Sequence, residues 1–133
     1  MKTLRAFAVA LPALLAPVAA QAQFMGGHFD EQGGAAIFHG VCQACHMPDA
    51  KGATGAGRYP ALAGDSNLVV AAYPIAVVVN GNRNMPAFGR FMTDVQIADV
   101  INYVRTHFGN RYADAVTPAA VNAARPKPRP KAK

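Results

Sequence analysis

The 133-residue chain contains no tryptophan, only two cysteines, and no apolar run that approaches the roughly 20 residues needed to span a bilayer. Two cysteines separated by two residues exclude a disulfide scaffold, which uses several pairs spread along the sequence. Glycine and proline are frequent, at 12 and 10 residues. This composition favours short helices joined by tight loops over a coiled coil or an extended sheet, and the length allows one small domain.

Charge is scarce in the middle of the chain. The formal net charge of +6 arises from 13 basic and 7 acidic residues, and seven of the basic ones lie near the two ends. Residues 23–124 keep six basic and seven acidic side chains, a formal charge of −1. A fold that grips nucleic acid carries positive charge on its folded surface, so the sequence excludes nucleic-acid binding.

The first 22 residues have the features of a signal peptide. Lys2 and Arg5 precede an apolar stretch over residues 6–16, and Ala20-Gln21-Ala22 has the small-x-small pattern of a cleavage site. We expect export to the periplasm and a mature protein that begins near Gln23. A retained membrane anchor is the alternative interpretation.

Composition divides the remainder into three parts. Residues 23–32 are glycine-rich and predict a flexible N-terminal segment, while residues 33–112 carry the patterned apolar positions of a folded domain. Residues 113–133 are rich in proline, lysine and arginine. We expect them to form an extended tail, because prolines at alternate positions deny the backbone its hydrogen-bond donors.

Three stretches predict helices and therefore an all-α fold of three to four short helices with long loops. The first runs from residue 32 or 33 to Gln43. The second, Leu68–Val79, contains Pro74, so it is either a kinked helix or two pieces, and Gly81 is expected to end it. The third predicted helix begins with a capping box formed by Thr93 and Gln96. Its apolar positions recur at helical spacing: Ile97, Val100, Ile101, Val104 and Phe108.

The sequence Cys42-Gln43-Ala44-Cys45-His46 is the CxxCH pattern of covalent haem attachment. On one helical turn the two thiols point to the same side and can add to the two vinyl groups of one porphyrin. The adjacent histidine then lies under the iron, where a neutral imidazole nitrogen can bind it. We therefore expect one covalent haem c.

Three other interpretations of the two cysteines are weaker. A thioredoxin-like redox pair needs a strand–turn–helix context, and no βαβ pattern is visible. A zinc site would need a second CxxC or paired histidines, and a disulfide across two residues would be strained.

Met85 is the candidate for the second axial ligand. It lies in a loop after an apolar helix, where the chain can fold across the opposite haem face, and Pro86 and Asn84 would stiffen that loop. A thioether ligand raises the reduction potential. Met92 is the fallback, whereas Met47 adjoins the proximal histidine. A bis-histidine haem would use His28, His39 or His107, of which the last two lie on predicted helices.

With these motifs the chain resembles the class I c-type cytochromes, over roughly residues 30–110. In that family a glycine eight residues before the first cysteine lets the first and last helices cross closely; Gly34 matches it, and Tyr103 matches the aromatic residue packed there. Phe38 matches the family's aromatic position before the motif, and Val100 stands where leucine is more common. The residues that carry the resemblance are Gly34, Phe38, Cys42, Cys45, His46, Pro60, Leu62, Met85, Val100 and Tyr103.

The resemblance also implies a role for Tyr59-Pro60-Ala61-Leu62, which is similar to the family's Pro-x-Leu stretch. There the proline carbonyl accepts the proton on the far nitrogen of the ligand histidine. Pro60 would thereby orient His46, and Phe38 and Leu62 would pack against the cofactor.

The function that follows is electron transfer, since His46 and Met85 would fill both axial positions and leave none for a substrate. The alternatives are a ligand-binding or peroxidatic haem protein with a weak sixth ligand, and an assembly subunit. The stretch over residues 100–110 is similar to small cytochromes that serve periplasmic dehydrogenases. That similarity implies a dehydrogenase as electron donor and a terminal oxidase or another cytochrome as acceptor. A free-standing diffusible shuttle is the other possibility.

The basic tail has two interpretations. It is either a solvated end, or its five charges steer docking to an acidic dehydrogenase or to an anionic membrane surface.

Overall fold

Helices make up most of the regular structure in the computed structural model, which describes residues 28–55 and 57–127. The predicted signal peptide and the last six residues lie outside this part. The first helical segment has three pieces and is followed by a two-residue antiparallel strand pair. In chain order the elements are α1 (Gly34–Ile37), a π-helical turn (Phe38–Cys42), α2 (Gln43–His46), β1 (Ala53–Thr54), β2 (Arg58–Tyr59), a 3-10 helix (Ser66–Val69), α3 (Ala72–Asn80), a second 3-10 helix (Phe88–Arg90), α4 (Asp94–Thr106) and α5 (Pro118–Ala124). The all-α prediction is confirmed.

The first and last predicted helices cross at Gly34, as the resemblance implied. A Cβ atom placed on Gly34 would lie 2.5 Å from the Tyr103 Cβ and closer still to the Asp99 carbonyl oxygen. No other residue type fits at this point, because real Cβ contacts are essentially never that short. The crossing holds α1 and α4 together and fixes where the following cysteines lie.

The segment predicted as Leu68–Val79 forms two pieces, a 3-10 helix and α3. Pro74 is the third residue of α3, where a backbone N–H has no partner within the helix, so proline costs no hydrogen bond there. Gly81 ends α3 with a φ of 75°, a conformation that favours glycine.

The capping box of α4 is confirmed. The Gln96 N–H donates to the Thr93 hydroxyl at 3.2 Å, and the Thr93 N–H donates to Gln96 Oε1 at 2.9 Å. The Gln96 amide also donates to the carbonyls of Phe29 and Glu31, at 2.7 and 3.0 Å. The described end of the segment expected to be flexible is therefore anchored on α4.

The tail differs from the prediction, because α5 lies where an extended chain was expected. The Thr117 hydroxyl accepts from the Ala120 N–H at 3.2 Å, and Pro118 occupies the first turn. The helix is rich in alanine, the strongest helix former, and its Val121 is fully buried. The Thr-Pro start and the alanines outweigh the proline pattern, which begins only at Pro126.

Arg105 joins α4 to two other segments. Its side chain is 1% exposed and donates to the Leu68 carbonyl at 2.9 Å and to Asp114 Oδ1 at 2.7 Å. It also lies over the Tyr112 ring, 5.7 Å from its centroid. Within the described residues, none of the helices is both long and apolar enough to cross a membrane.

Candidate functional site

A cavity of about 720 Å³ lies between the first helical segment, α3, α4 and the loops that follow the strands and α3. Its walls are mainly aliphatic and aromatic side chains from these elements. Six of the seven residues predicted to bind the cofactor line it: Cys42, Cys45, His46, Pro60, Leu62 and Met85. The fold thus brings together side chains that lie up to 43 residues apart in the sequence, from Cys42 to Met85.

The two cysteines lie at the end of the π-helical turn and within α2. Both are half-buried and carry free thiols. Burial raises the pKa of the Cys42 thiol to about 12, with a smaller contribution from the neighbouring Cys45 thiol.

His46 is 7% exposed and is held in one orientation by a backbone carbonyl. Its Nδ1 lies 3.0 Å from the Pro60 oxygen. A carbonyl only accepts, so Nδ1 carries the proton and Nε2 is left as a lone-pair donor, the tautomer that a metal-ligating histidine needs. This is the contact that the resemblance implied for Pro60.

The backbone around Pro60 is fixed by close approach. A Cβ atom on Gly52, whose φ is 68°, would lie 2.7 Å from the Pro60 oxygen. The Gly52 N–H donates to the His46 carbonyl at 3.0 Å, and the Leu62 N–H donates to the Ala50 carbonyl at 2.7 Å. These contacts keep the Pro60 carbonyl in front of the imidazole.

Met85 is half-buried at the cavity, in a loop that we call the methionine segment (residues 82–92). The segment begins with a tight turn in which Asn82 and Met85 exchange both backbone hydrogen bonds, at 3.1 and 2.9 Å. Arg83 within this turn has a φ of 52°. The turn sets where the thioether enters the cavity.

The alternative ligands divide into two groups. Met92 is 3% exposed and also lines the cavity, so the fallback remains open. The three other histidines, His28, His39 and His107, are exposed and do not line it. The structure therefore favours a methionine over a second histidine.

Phe38 is the one predicted cofactor-binding residue that does not line the cavity. It is fully buried behind it, with its ring 4.7 Å from that of Phe108 and 5.8 Å from that of Tyr103, centroid to centroid. Its position in the π-helical turn points it to the α1–α4 crossing, so Phe38 supports the site through that crossing.

Sequence reasoning missed several residues at the site. Arg58, in β2, and Arg83, in the methionine segment, both line the cavity and carry positive charge. Asn110, 3% exposed, donates to the carbonyls of Leu62 and Val104 at 2.8 and 2.9 Å. Asn110 follows Gly109, whose φ is 84°. Nothing in the sequence placed the two arginines.

The residues present fit a haem c. Two thiols and a correctly oriented imidazole lie on one wall, thioethers lie on the wall formed by the methionine segment, and the remaining surface is largely apolar. Guanidinium groups suit the two carboxylates of a haem. The donor set therefore matches a covalently bound porphyrin.

Comparisons with known proteins agree with this fit. A family model described as cytochrome c oxidase, cbb3-type, subunit III matches residues 30–104. The cytochrome subunit of fructose dehydrogenase from Gluconobacter japonicus is 38% identical over 95 residues, which cover 60% of this chain and 19% of the relative.

Two further relatives have similar names. The gluconate 2-dehydrogenase cytochrome c subunit of Pantoea cypripedii is 32% identical over 103 residues, covering 66% of this chain and 23% of the relative. The cytochrome c subunit of the quinone alcohol dehydrogenase of Gluconacetobacter polyoxogenes is 32% identical over 106 residues, covering 69% and 22%. The chain spans about a fifth of the length of each relative.

The family match covers more than half of the chain and includes the CxxCH motif and the methionine segment. The chain therefore belongs to the cytochrome c family in the group described as cytochrome c oxidase, cbb3-type, subunit III, whose cofactor is covalently bound haem c.

Proposed function

We propose that this cytochrome works in the periplasm, where it accepts electrons from a dehydrogenase and passes them to the respiratory chain through a terminal oxidase or another cytochrome. The signal-peptide features of the first 22 residues support export. The names of the relatives, all cytochrome subunits of sugar, sugar-acid or alcohol dehydrogenases, support the donor. The observation that carries the proposal is the His46–Pro60 hydrogen bond beside the two cysteines of the CxxCH motif.

The residues have separate roles in this proposal. Cys42 and Cys45 would hold the haem through thioether bonds, and His46 would bind its iron through Nε2 while Pro60 holds the Nδ1 proton. Met85, in the methionine segment, would be the second residue to bind the iron. When bound, the haem supplies one-electron redox chemistry at its iron.

Other residues of the chain set the environment of that chemistry. Aliphatic side chains exclude water from the cavity, among them Leu68 of the first 3-10 helix and Val100 and Val104 of α4. Met85 favours the reduced state, because a thioether is a soft ligand. Arg58 and Arg83 would pair with the haem carboxylates and offset their negative charge.

The donor is tested with the native holoprotein. Membranes of the source organism are mixed with the oxidised cytochrome and supplied in turn with a sugar, a sugar acid or an alcohol, and haem reduction is followed by absorbance. We expect one substrate class to drive reduction, with no reduction when substrate is omitted. Failure of all three classes, with membranes that oxidise the same substrates through other acceptors, would contradict a dehydrogenase donor.

The basic residues that follow Arg125 steer docking to an acidic partner or to an anionic membrane surface in this proposal. Arg125 belongs to the fold through its bond to Asp94, so four of the five basic residues of the tail lie beyond it in the sequence. Deletion of residues 126–133 should slow reduction by the membranes at low salt and leave the rate at high salt unchanged. Equal rates at low salt would instead identify the tail as a solvated end.

A further inference from the structure

Arg125, the residue that follows α5, reaches three other parts of the molecule. Its Nε donates to Asp94 Oδ1 at 2.5 Å, at the start of α4. One terminal nitrogen donates to the Gly89 carbonyl, and the other donates to the Met92 carbonyl at 2.9 Å. The Arg125 side chain is 27% exposed, so these bonds lie mostly out of water.

The two carbonyls belong to the end of the methionine segment. At its beginning, the segment is closed by the turn in which Met85 bonds back to Asn82. Gly89 also lies against α3, so close that a Cβ atom on it would be 2.6 Å from the Val79 carbonyl oxygen. The segment is thus fixed at one end by its own turn and at the other by Arg125.

Asp94 keeps the guanidinium group in place. Burial pushes the pKa of Asp94 upward, but hydrogen bonds from Arg125 and Asn122 outweigh it and hold the pKa below its usual value. Asp94 is therefore ionised at neutral pH, and Arg125 forms a charged pair with it. An arginine is needed, since its planar fork can serve a carboxylate and two carbonyls at once, whereas a lysine offers one ammonium group.

The helix that carries Arg125 is itself anchored. Val121 of α5 is fully buried, and the helix packs against both α3 and α4. The methionine segment connects these same two helices. Movement of the segment away from the cavity would break the bonds of Arg125 to Gly89 and Met92.

We propose that α5 and Arg125 form a strap that holds the methionine segment at the cavity, which makes Arg125 a positioning residue for the Met85 ligand. The inference rests on the ligand role of Met85 in the proposed function. Without Arg125 the segment detaches more often, and the sixth position of the iron becomes accessible to added ligands.

The test measures how readily imidazole displaces the methionine from the ferric holoprotein, followed by loss of the red absorbance band of a sulfur–iron bond. Arg125→Gln should bind imidazole about tenfold more tightly than the wild type, because charged hydrogen bonds to the segment are lost. Lys127→Gln removes the same charge two residues later, from an exposed side chain, and should match the wild type. Circular dichroism checks that helix content is unchanged.

A second variant covers failure of Arg125→Gln to assemble with haem. Arg125→Lys keeps the charge beside Asp94, but its side chain cannot reach both carbonyls. Its imidazole affinity should therefore lie between those of the wild type and Arg125→Gln. If the Arg125 variants that assemble bind imidazole with wild-type affinity, the strap is overturned. The ligand role of Met85 would still stand if Met85→Leu abolishes the red absorbance band. A wild-type protein without the band would overturn both.

Discussion

At the residue scale, the site depends on backbone carbonyls as much as on side chains. Pro60 acts through its carbonyl on His46, and Asn110 acts on the carbonyls of Leu62 and Val104. These contacts join the loop after the strands to the end of α4. The loop that orients the histidine is therefore held from two directions.

Replacement of Asn110 by alanine should lower the free energy of unfolding by about 2 kcal/mol, because the half-buried Leu62 carbonyl and the buried Val104 carbonyl lose this donor. The unpaired Oδ1 of Asn110 is lost as well, which offsets part of that cost. Urea denaturation of the holoprotein checks the value. The control is Asn80→Ala, which removes one exposed hydrogen bond to Ala76 and should change the free energy by less than about 0.5 kcal/mol.

Sequence alone could predict the residues whose chemistry is written in a local pattern. The CxxCH motif and Met85 line one cavity, while the His46–Pro60 contact was implied by the family resemblance and not by a local pattern. Arg58, Arg83 and Arg125 could not be assigned, since their partners are brought near only by the fold. Phe38 lies in a π-helical turn and packs on Tyr103 and Phe108, contacts that helical periodicity does not predict.

At the element scale, the crossing of α1 and α4 is the contact with the least tolerance. Gly34 has backbone and side-chain atoms of α4 where a Cβ would be. Since the CxxCH motif follows directly on this segment, a shift at the crossing would also move the cysteines and His46.

Gly34→Ala should destabilise the holoprotein by about 2 kcal/mol or more through overpacking, seen as a lower midpoint of thermal unfolding. Gly55→Ala is the matched control. Position 55 has open space around a Cβ and no positive φ, so the same added methyl group should leave the midpoint within about 2 °C of the wild type. Equal stability of the two variants would show that the helices do not meet as closely as described.

The break before α3 and the helix α5 were not fully predicted from the sequence, for different reasons. The break between the 3-10 helix and α3 was one of two options left open by Pro74, and packing of Leu68 and Ile75 decides it. The helix α5 depends on the Thr117 cap and an alanine-rich turn, which lie directly before the charged, proline-rich residues that predict an extended tail.

At the scale of the whole molecule, two carboxylate–arginine pairs connect distant parts of the chain. Asp94 pairs with Arg125, and Asp114 pairs with Arg105. The hydrogen bond from Arg105 lowers the pKa of Asp114 more than desolvation raises it, and the pKa of Asp94 is lowered as well.

A carboxylate whose pKa is lower in the folded state stabilises the fold above its unfolded pKa of about 3.9 and loses that contribution as pH falls through the folded value. The free energy of unfolding should therefore be insensitive to these two groups from pH 7 to about 5 and should decrease below about pH 4. Denaturation at a series of pH values checks this. In Asp94→Asn the decrease should be shallower, and a slope identical to the wild type would contradict the assignment.

The central claim is that His46 and Met85 fill both axial positions of one haem, and exposure of the reduced holoprotein to carbon monoxide tests it most directly. The wild type and Met92→Leu should show no rapid binding, whereas Met85→Leu should bind carbon monoxide rapidly and stoichiometrically and have a lower reduction potential, because only it lacks the thioether ligand. Rapid binding by the wild type, or by Met92→Leu with none by Met85→Leu, would contradict the account.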